Sequence, residues 1–577
     1  MSCSIPLAQY LFSRLRQLNC HSLHGVPGDF TLRALDTLPE SGVRWIGNSS
    51  ELCAGYAADG YARAAALART TASPQSAVPR VGALFTTYGV GELSAINAVA
   101  GSYAESVPVV HFVGTPSRRQ WRSTACIHHT LGDGRMHVYA EMAKQITCAQ
   151  ADLSCDDVGE AVERYDRALE ECVKQSKPIY VNLPSDMISQ RVPSSLLSRP
   201  LHLQPAPNDK TEEDAVVATI LSRIHSAQMP LAIADGLGYQ WDLAEEVNEL
   251  IRLTDIPATC FSAGKGLVDE SLPSWIGPLG APTEYSKSTD LALLFGPLLS
   301  DTNTAGWSAV PDPDVSISFG LDYVCIGPTT HHLRGKPTLQ KLILRLQEGL
   351  AKRTHREGIK RSDHVAPGSS SSIGQDAFWS RMSSWLKPYD TVLLANGTPL
   401  IGGRDMRLPS PVQVIASGIW CSIGHMLPAA QGVAAAKRDH GTPGRTVLFE
   451  GDGSFQVTCQ SISDIIRDKL DVTIFMANNA GYTYERLLHG LDAAYNDVPA
   501  WRYMDAARFF GAKENSETYP VLSRKVQTWG ELEEVLADER VGDGRGLKMI
   551  DVVMGPEDVP EASRAGLKTA GDALRAM

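Results

Sequence analysis

The run "RTVLFEGDGSFQVTCQSISDIIRDKL", residues 445–470, decides the fold. Its first part is a continuous apolar stretch that stops at Gly451, Asp452 and Gly453. In its second part apolar residues return at helical spacing. An apolar strand that feeds a helix is the unit of a parallel sheet covered on both faces. The turn sits at a helix N-terminus, where free backbone N–H groups and the positive dipole end suit a phosphate. Two glycines let the backbone approach closely. The acid between them would repel phosphate unless a cation intervened. Mg²⁺ takes one or two protein carboxylates and completes its shell with phosphate oxygens.

The next apolar run, "DVTIFMANNAGYTYERLLHG" at 471–490, ends in Asn478 and Asn479, then Ala480 and Gly481. Adjacent parallel strands would place Asp452 and Asn479 side by side at one sheet edge. The Asn479 amide oxygen and a following backbone carbonyl would then complete an oxygen-ligand set.

The same alternation runs along all 577 residues. "VRWIG", "VGALFTT", "VPVVHFVG" and "KPIYVNLP" read as strands of a first part. "MPLAIADG", "IPATCFS", "DLALLFG" and "VSISFG" belong to a second, and "DTVLLANG" and "PVQVIAS" join a third. Pro- and Ser-rich stretches at 190–214 and 357–374 read as linkers, and 68–79 as a loop insertion. The expectation is an α/β protein of three doubly wound parallel-sheet domains, 1–190, 191–360 and 361–577, with ligands at the carboxyl ends of strands.

Composition narrows the function. The net charge is −12, with no basic run, which argues against nucleic acid or an anionic membrane as partner. No window approaches 18 apolar residues, so no transmembrane helix is expected, and the start lacks the pattern of a signal peptide. Eleven cysteines without a C-x-x-C pair read as free thiols in a reducing compartment, the cytosol.

The first part offers the remaining candidates. "WIGNSSELCAGYAADGYARA", 45–64, runs from a strand into an alanine-rich helix with Glu51 in its first turn. Its bland reading is a capping box of Asn48 with Glu51. "HGVPGDF" places Asp29 in a glycine-proline loop, and "CIHHTLGDG" places His128 and His129 together. Solvent-exposed loop residues are the alternative for the histidines, and a zinc site adding Asp133 and His137 has poor ligand spacing.

Together these pieces resemble the thiamine-diphosphate-dependent 2-oxo acid decarboxylases of the pyruvate and indolepyruvate decarboxylase family. The G-D-G turn, 24 residues and then N-N match that family's diphosphate signature. The likeness extends through "TYGVGELSAINAVAGSYAESVPVVHFVGTPS", "GKGLVDE", "GPLLSDTNTAGW" and "YNDVPAW". It implies a pyrimidine-binding, a central and a diphosphate-binding domain, and the cofactors thiamine diphosphate and Mg²⁺. Glu51 would activate the cofactor by stabilising the imino tautomer of its aminopyrimidine. Asp452, Asn479 and the Gly481 carbonyl would hold Mg²⁺. Gly453 and Ser454 would contact diphosphate, Thr398 and Cys421 would line the cofactor, and Ile423 would be the apolar wedge that bends it. Asp29, His128, His129 and Glu485 would surround the substrate and move protons, with Tyr484 lining the pocket. The cofactor would lie between two copies of the chain, in a homodimer or homotetramer.

The implied reaction is the non-oxidative decarboxylation of a 2-oxo acid, pyruvate or a larger one, to an aldehyde and CO₂. A carboligase that forms an acyloin, and a silent cofactor-binding paralogue, are the rival readings. Three departures bear on the substrate. "LLANGTPLIGG" is one residue shorter than the family's usual stretch, Cys421 stands where glycine is usual, and Tyr484 stands where Ile or Val is usual.

Overall fold

In a computed structural model of the protein, residues 4–64, 81–349, 372–513 and 516–561 are described, together with 563, 564 and 567. The loop insertion expected at 68–79 and most of the linker expected at 357–374 lie outside the described residues.

Three six-stranded sheets form the framework. The N-terminal sheet runs in the order Arg44–Gly47, Ser22–Gly25, Gly82–Thr87, Val109–Thr115, Ile179–Pro184, Ala149–Asp152, all parallel. The C-terminal sheet is also parallel, in the order Gln413–Ala416, Thr391–Leu394, Thr446–Gly451, Val472–Asn478, Leu547–Val553, Val521–Val526. The central sheet is parallel through Ala258–Cys260, Pro230–Ala234, Leu291–Phe295 and Ser316–Phe319. Two short antiparallel strands, Val324–Ile326 and Thr329–His331, extend its edge. The inner strands are fully buried, which is why they read as unbroken apolar runs rather than alternating ones.

The stretch at 190–214 is less of a free linker than its composition suggests. Arg191–Pro193 pairs antiparallel with Ser4–Pro6, so the end of the N-terminal unit is stitched to its beginning.

The N- and C-terminal sheets meet through two helices, Glu51–Ala64 and Met426–His440. Both are rich in alanine and glycine on the facing sides. A Cβ at Gly432 would lie 1.9 Å from the Ala57 carbonyl oxygen, and one at Gly60 would lie 2.2 Å from that of Ala429. Only glycine permits this backbone-to-backbone approach, which docks the helix that begins at Glu51 onto the C-terminal half.

Among the described residues no helix is long and apolar enough to cross a membrane.

Candidate active site

The turn that opened the sequence reading is built at one edge of the C-terminal sheet. Strand Thr446–Gly451 pairs with Val472–Asn478, with Gly451 opposite Ala477, so both chains leave the sheet at the same level. Asp452 begins the helix Asp452–Thr458 and is buried. One carboxylate oxygen accepts the Gly453 N–H at 2.8 Å and the other accepts the Gly481 N–H at 3.0 Å. Burial pushes this carboxyl up to about 6, a direction that a bound cation would oppose.

Asn479 is buried beside it and donates its amide nitrogen to Thr398 Oγ1 at 3.0 Å, so its amide oxygen remains for another partner. Arg486 donates to the carbonyls of Asn479 (3.2 Å) and Ala480 (2.6 Å) and pairs with Asp497 at 2.7 Å. Gly481 has φ +139, and a Cβ there would meet the Asn496 carbonyl at 2.2 Å. The tight turn at 479–481 is thus strapped from outside by Asn496 and Asp497, with the Tyr482 N–H donating to the Asn496 carbonyl at 2.8 Å.

These residues fit a diphosphate-bound divalent cation. One buried carboxylate, one amide oxygen and the Gly481 carbonyl form a hard-oxygen set. Asn396 Oδ1 and Glu450 Oε2 are also buried without a hydrogen-bond partner. They precede Thr398 and Asp452 by two residues at adjacent strand ends, buried polar capacity that the described residues leave unfilled.

Thr398 begins the helix Thr398–Arg404. Ser454 accepts the Gly424 N–H at 2.8 Å, and Thr458 donates to the Gly424 carbonyl at 2.8 Å. These bonds tie the segment carrying Cys421 and Ile423 to the helix after Asp452. Ile423 is 38 % exposed. Cys421 keeps a left-handed φ of +50, the conformation that makes glycine the easier choice. Its N–H donates to Ser417 Oγ at 2.7 Å, and its sulfur lies 3.8 Å from Thr302 Oγ1 of the central part.

The upstream end of this segment converges on one residue that sequence reasoning missed. Glu105 Oε1 accepts from Ser417 Oγ (2.6 Å) and from the N–H groups of Gly418 (3.0 Å), Ile419 and Trp420 (both 3.2 Å). Its other oxygen pairs with Arg63, which pairs in turn with Asp59. Nothing local in "GSYAESV" marks Glu105, because the loop it holds lies more than 300 residues away.

Glu51 is the first residue of the helix Glu51–Ala64. The capping box with Asn48 is not formed. Asn48 Oδ1 accepts the Gly25 N–H and its amide nitrogen donates to Gln431, while Ser50 Oγ accepts the Cys53 N–H at 3.3 Å. The Glu51 carboxylate instead stands over the first turn of the helix Val90–Ala104, where a Cβ at Gly91 would lie 3.2 Å from its Oε1. Thr87 Oγ1, in the same corner, is buried without a partner among the described residues. Glu92 holds this turn by accepting the Gly89 N–H at 2.8 Å and the Tyr180 hydroxyl at 2.8 Å.

Asp29, His128 and His129 come together, their ligating atoms all within 4.8 Å of one another. His128 Nε2 is 2.9 Å from Asp29 Oδ2, and the His128 ring stacks on Phe30. His129 has φ +70, and a Cβ at Gly89 would meet its carbonyl at 2.1 Å, so the pair is pressed against the turn beside Glu51. Asp133 and His137 take no part: Asp133 pairs with Arg135 and His137 stacks on Trp121.

Glu485 is exposed on the helix Thr483–His489, and among the described residues it bonds to none of Asp29, His128 or His129. Tyr484, next to it, faces inward and is 7 % exposed, and among the described residues its hydroxyl has no partner. Burial raises that phenol far above its usual range, with Arg404, Asp405 and Asp558 as charged neighbours.

The comparisons with known proteins agree on one family. Residues 5–140 match the thiamine pyrophosphate enzyme N-terminal TPP binding domain, 217–337 the central domain and 399–552 the C-terminal TPP binding domain. A pyruvate decarboxylase of Aspergillus parasiticus is 39 % identical, covering 97 % of this chain and 96 % of that protein. Pyruvate decarboxylase isozyme 1 of Saccharomyces cerevisiae is 35 % identical over 96 % of this chain and 97 % of its own. The solved benzoylformate decarboxylase of Polynucleobacter necessarius superposes with a TM-score of 0.77 at 18 % identity, covering 96 % of this chain and all of that one, a likeness of fold.

Proposed function

The chain belongs to the thiamine pyrophosphate enzymes, among the pyruvate decarboxylase relatives, and on that premise we propose how its residues share the work of decarboxylating a 2-oxo acid. The reaction releases an aldehyde and CO₂. Bound thiamine diphosphate supplies the electron sink for the bond that breaks to CO₂.

The observation that carries the assignment of roles is the buried turn that gathers Asp452, Asn479 and Gly481 at adjacent strand ends. In our reading these three hold Mg²⁺, and Gly453 and Ser454 receive the diphosphate at the helix N-terminus. Thr398 fixes which way the Asn479 amide points. Cys421 and Ile423 lie against the rest of the cofactor, on a segment tied at both ends. Glu51 holds a proton-bearing nitrogen of the aminopyrimidine in the required tautomer. Asp29 and His128, already hydrogen-bonded, pass protons to and from the substrate with His129 and Glu485. Tyr484 shapes the pocket, where a phenol in place of a short branched residue leaves room for small or polar 2-oxo acids.

The domains in this reading are 1–190, 191–360 and 361–577, with the strand Arg191–Pro193 reaching back to pair with the first. Two copies complete each site, since Glu485 stands exposed and apart from the histidines within one chain. The enzyme works in the cytosol, a placement supported by ten free cysteines among the described residues.

Incubation with a series of 2-oxo acids, with and without added aldehyde, tests the reading. Equal amounts of CO₂ and aldehyde are expected, lost on chelation and restored by Mg²⁺ with thiamine diphosphate. Acyloin in place of free aldehyde would establish the carboligase, and absence of CO₂ from every acid would establish the silent paralogue.

A further inference from the structure

Glu51 must be aimed, yet nothing grips it directly. Among the described residues its carboxylate makes no hydrogen bond or ion pair. Its direction therefore follows from the backbone at the start of its helix. The close packing of Ala57 and Gly60 against Ala429 and Gly432 fixes the middle of that helix, two turns further on. The first turn is held by something else.

That grip comes from the C-terminal half. Asp464 Oδ2 accepts from the Ser49 N–H at 3.1 Å, from Ser49 Oγ at 3.2 Å and from Asn48 Nδ2 at 3.4 Å. The fully buried Gln431 accepts from the same Asn48 amide at 2.9 Å. Asp464 is 1 % exposed and forms no ion pair among the described residues. Burial without a counter-charge is costly and raises the carboxyl to about 6, and only donors from the turn before Glu51 and the nearby Arg467 oppose that shift. A carboxylate is kept there by the turn it holds.

We propose that Asp464 is a positioning residue for Glu51: it clamps the Asn48–Ser49 turn and so sets where the Glu51 carboxylate meets the cofactor. The inference rests on the reading of Glu51 as the activating group. Asp464 lies on Ser461–Arg467, the helix that follows Asp452–Thr458. One short segment therefore carries the proposed metal ligand at its start and the clamp on Glu51 near its end.

The test is proton exchange at the thiazolium carbon under saturating thiamine diphosphate and Mg²⁺, with cofactor affinity measured separately by calorimetry. A displacement of about 1 Å costs a catalytic group roughly 100-fold, so Asp464→Ala is expected to slow exchange by about 10- to 100-fold. Asp464→Asn keeps an oxygen for the Ser49 N–H and should slow it by only about threefold, a partial rescue. Cofactor affinity should stay within about twofold in both, because Asp452, Asn479 and Gly481 are untouched. A merely structural role predicts the reverse, weakened affinity or melting temperature with normal exchange at saturation, and that result overturns the proposal. If Asp464→Ala does not fold, Asp464→Asn and Ser49→Ala carry the test, and wild-type exchange in both overturns it. Glu51→Gln is the control for the premise. Wild-type exchange in Glu51→Gln refutes the reading of Glu51, whereas slow exchange there with normal exchange in the Asp464 variants refutes the clamp alone.

Discussion

The two polar clusters of this chain are built in opposite ways. Asp452, Asn479 and Thr398 are 1 %, 3 % and 6 % exposed, on adjacent strand ends of a single sheet, and each is hydrogen-bonded. Asp29 and His128 lie in loops, with side chains 54 % and 53 % exposed. A turn that gathers carbonyls and a carboxylate for a cation has to be preformed and paired, since stray buried polar groups are costly. Groups that exchange protons with a substrate have to be reachable. In the proposed two-copy arrangement, the second cluster is the one that a partner copy would cover.

The comparison breaks first at Asp452. Asp452→Ala removes the one carboxylate of the cation set. Even partners of metal ligands cost 10- to 100-fold, so thiamine diphosphate affinity should fall by more than about 100-fold together with Mg²⁺ affinity. Calorimetry showing unchanged cofactor binding would mean that the turn is only a turn.

Glu51→Gln probes the other side with the cofactor still bound. Loss of acid–base help should lower proton exchange at the thiazolium carbon by at least about 100-fold at saturating cofactor. A rate near wild type would remove Glu51 from the site.

Mixing the two variants sharpens the contrast. If each site takes its metal turn from one chain and its Glu51 from the other, co-expressed Asp452→Ala and Glu51→Gln chains form mixed dimers with one intact site. Random pairing should return about a quarter of wild-type activity from two inactive parents. No recovery in isolated mixed dimers would place both clusters in the same site of one chain.

Tyr484→Ile should act on choice of substrate. Pocket changes of this scale are worth about 1–3 kcal/mol, so kcat/KM for phenylpyruvate relative to pyruvate should rise by about tenfold. An unchanged ratio would show that the phenol, buried toward Arg404 and Asp558, does not line the pocket.

The smallest effect concerns two buried histidines of the N-terminal half. Burial lowers His24 to about 4 and His111 to about 3, against about 6.5 when unfolded. Between those values the unfolded chain binds more protons, so stability falls as pH drops below about 6.5 and is fully present above it. Denaturant titration should show a loss of roughly 2 kcal/mol per buried histidine from pH 6.5 to 5, and His111→Asn should remove one histidine's share of it. A flat profile would mean that these rings are not held neutral in the core.

Much of the fold was legible because its signals are local. "VLFEGDG" and "TIFMANN" announce buried parallel strands by their unbroken apolar runs, and the glycines mark where each ends. Among the strands that escaped, Leu547–Val553, "LKMIDVV", is an inner, buried strand, but Lys548 and Asp551 interrupt its apolar run, and others are short or polar. "SLHG" has only four residues, and Val521–Val526, "VLSRKV", is an edge strand with two exposed charges. The antiparallel pair at 324–331 extends an edge that no periodicity in the sequence announces.

At the site the identities of Asp29, Glu51, His128, His129, Asp452 and Asn479 could be picked from motif context, since each sits at a glycine-marked strand end or loop. The sequence by itself determined the strand–turn–helix units, the place of the oxygen-rich turn and the residue types on offer, because propensity and periodicity act over a few neighbours. Tertiary structure alone decided that Asn48 bonds to Gln431 and Asp464 instead of capping its helix, and that Tyr484 turns in while Glu485 turns out. It alone set Glu105 on the Ser417–Trp420 loop and Asp464 on Ser49, 415 residues away. The physical reason is that a buried carboxylate must find donors wherever packing brings them, and here close-packed alanine and glycine helices bring them from the opposite end of the chain.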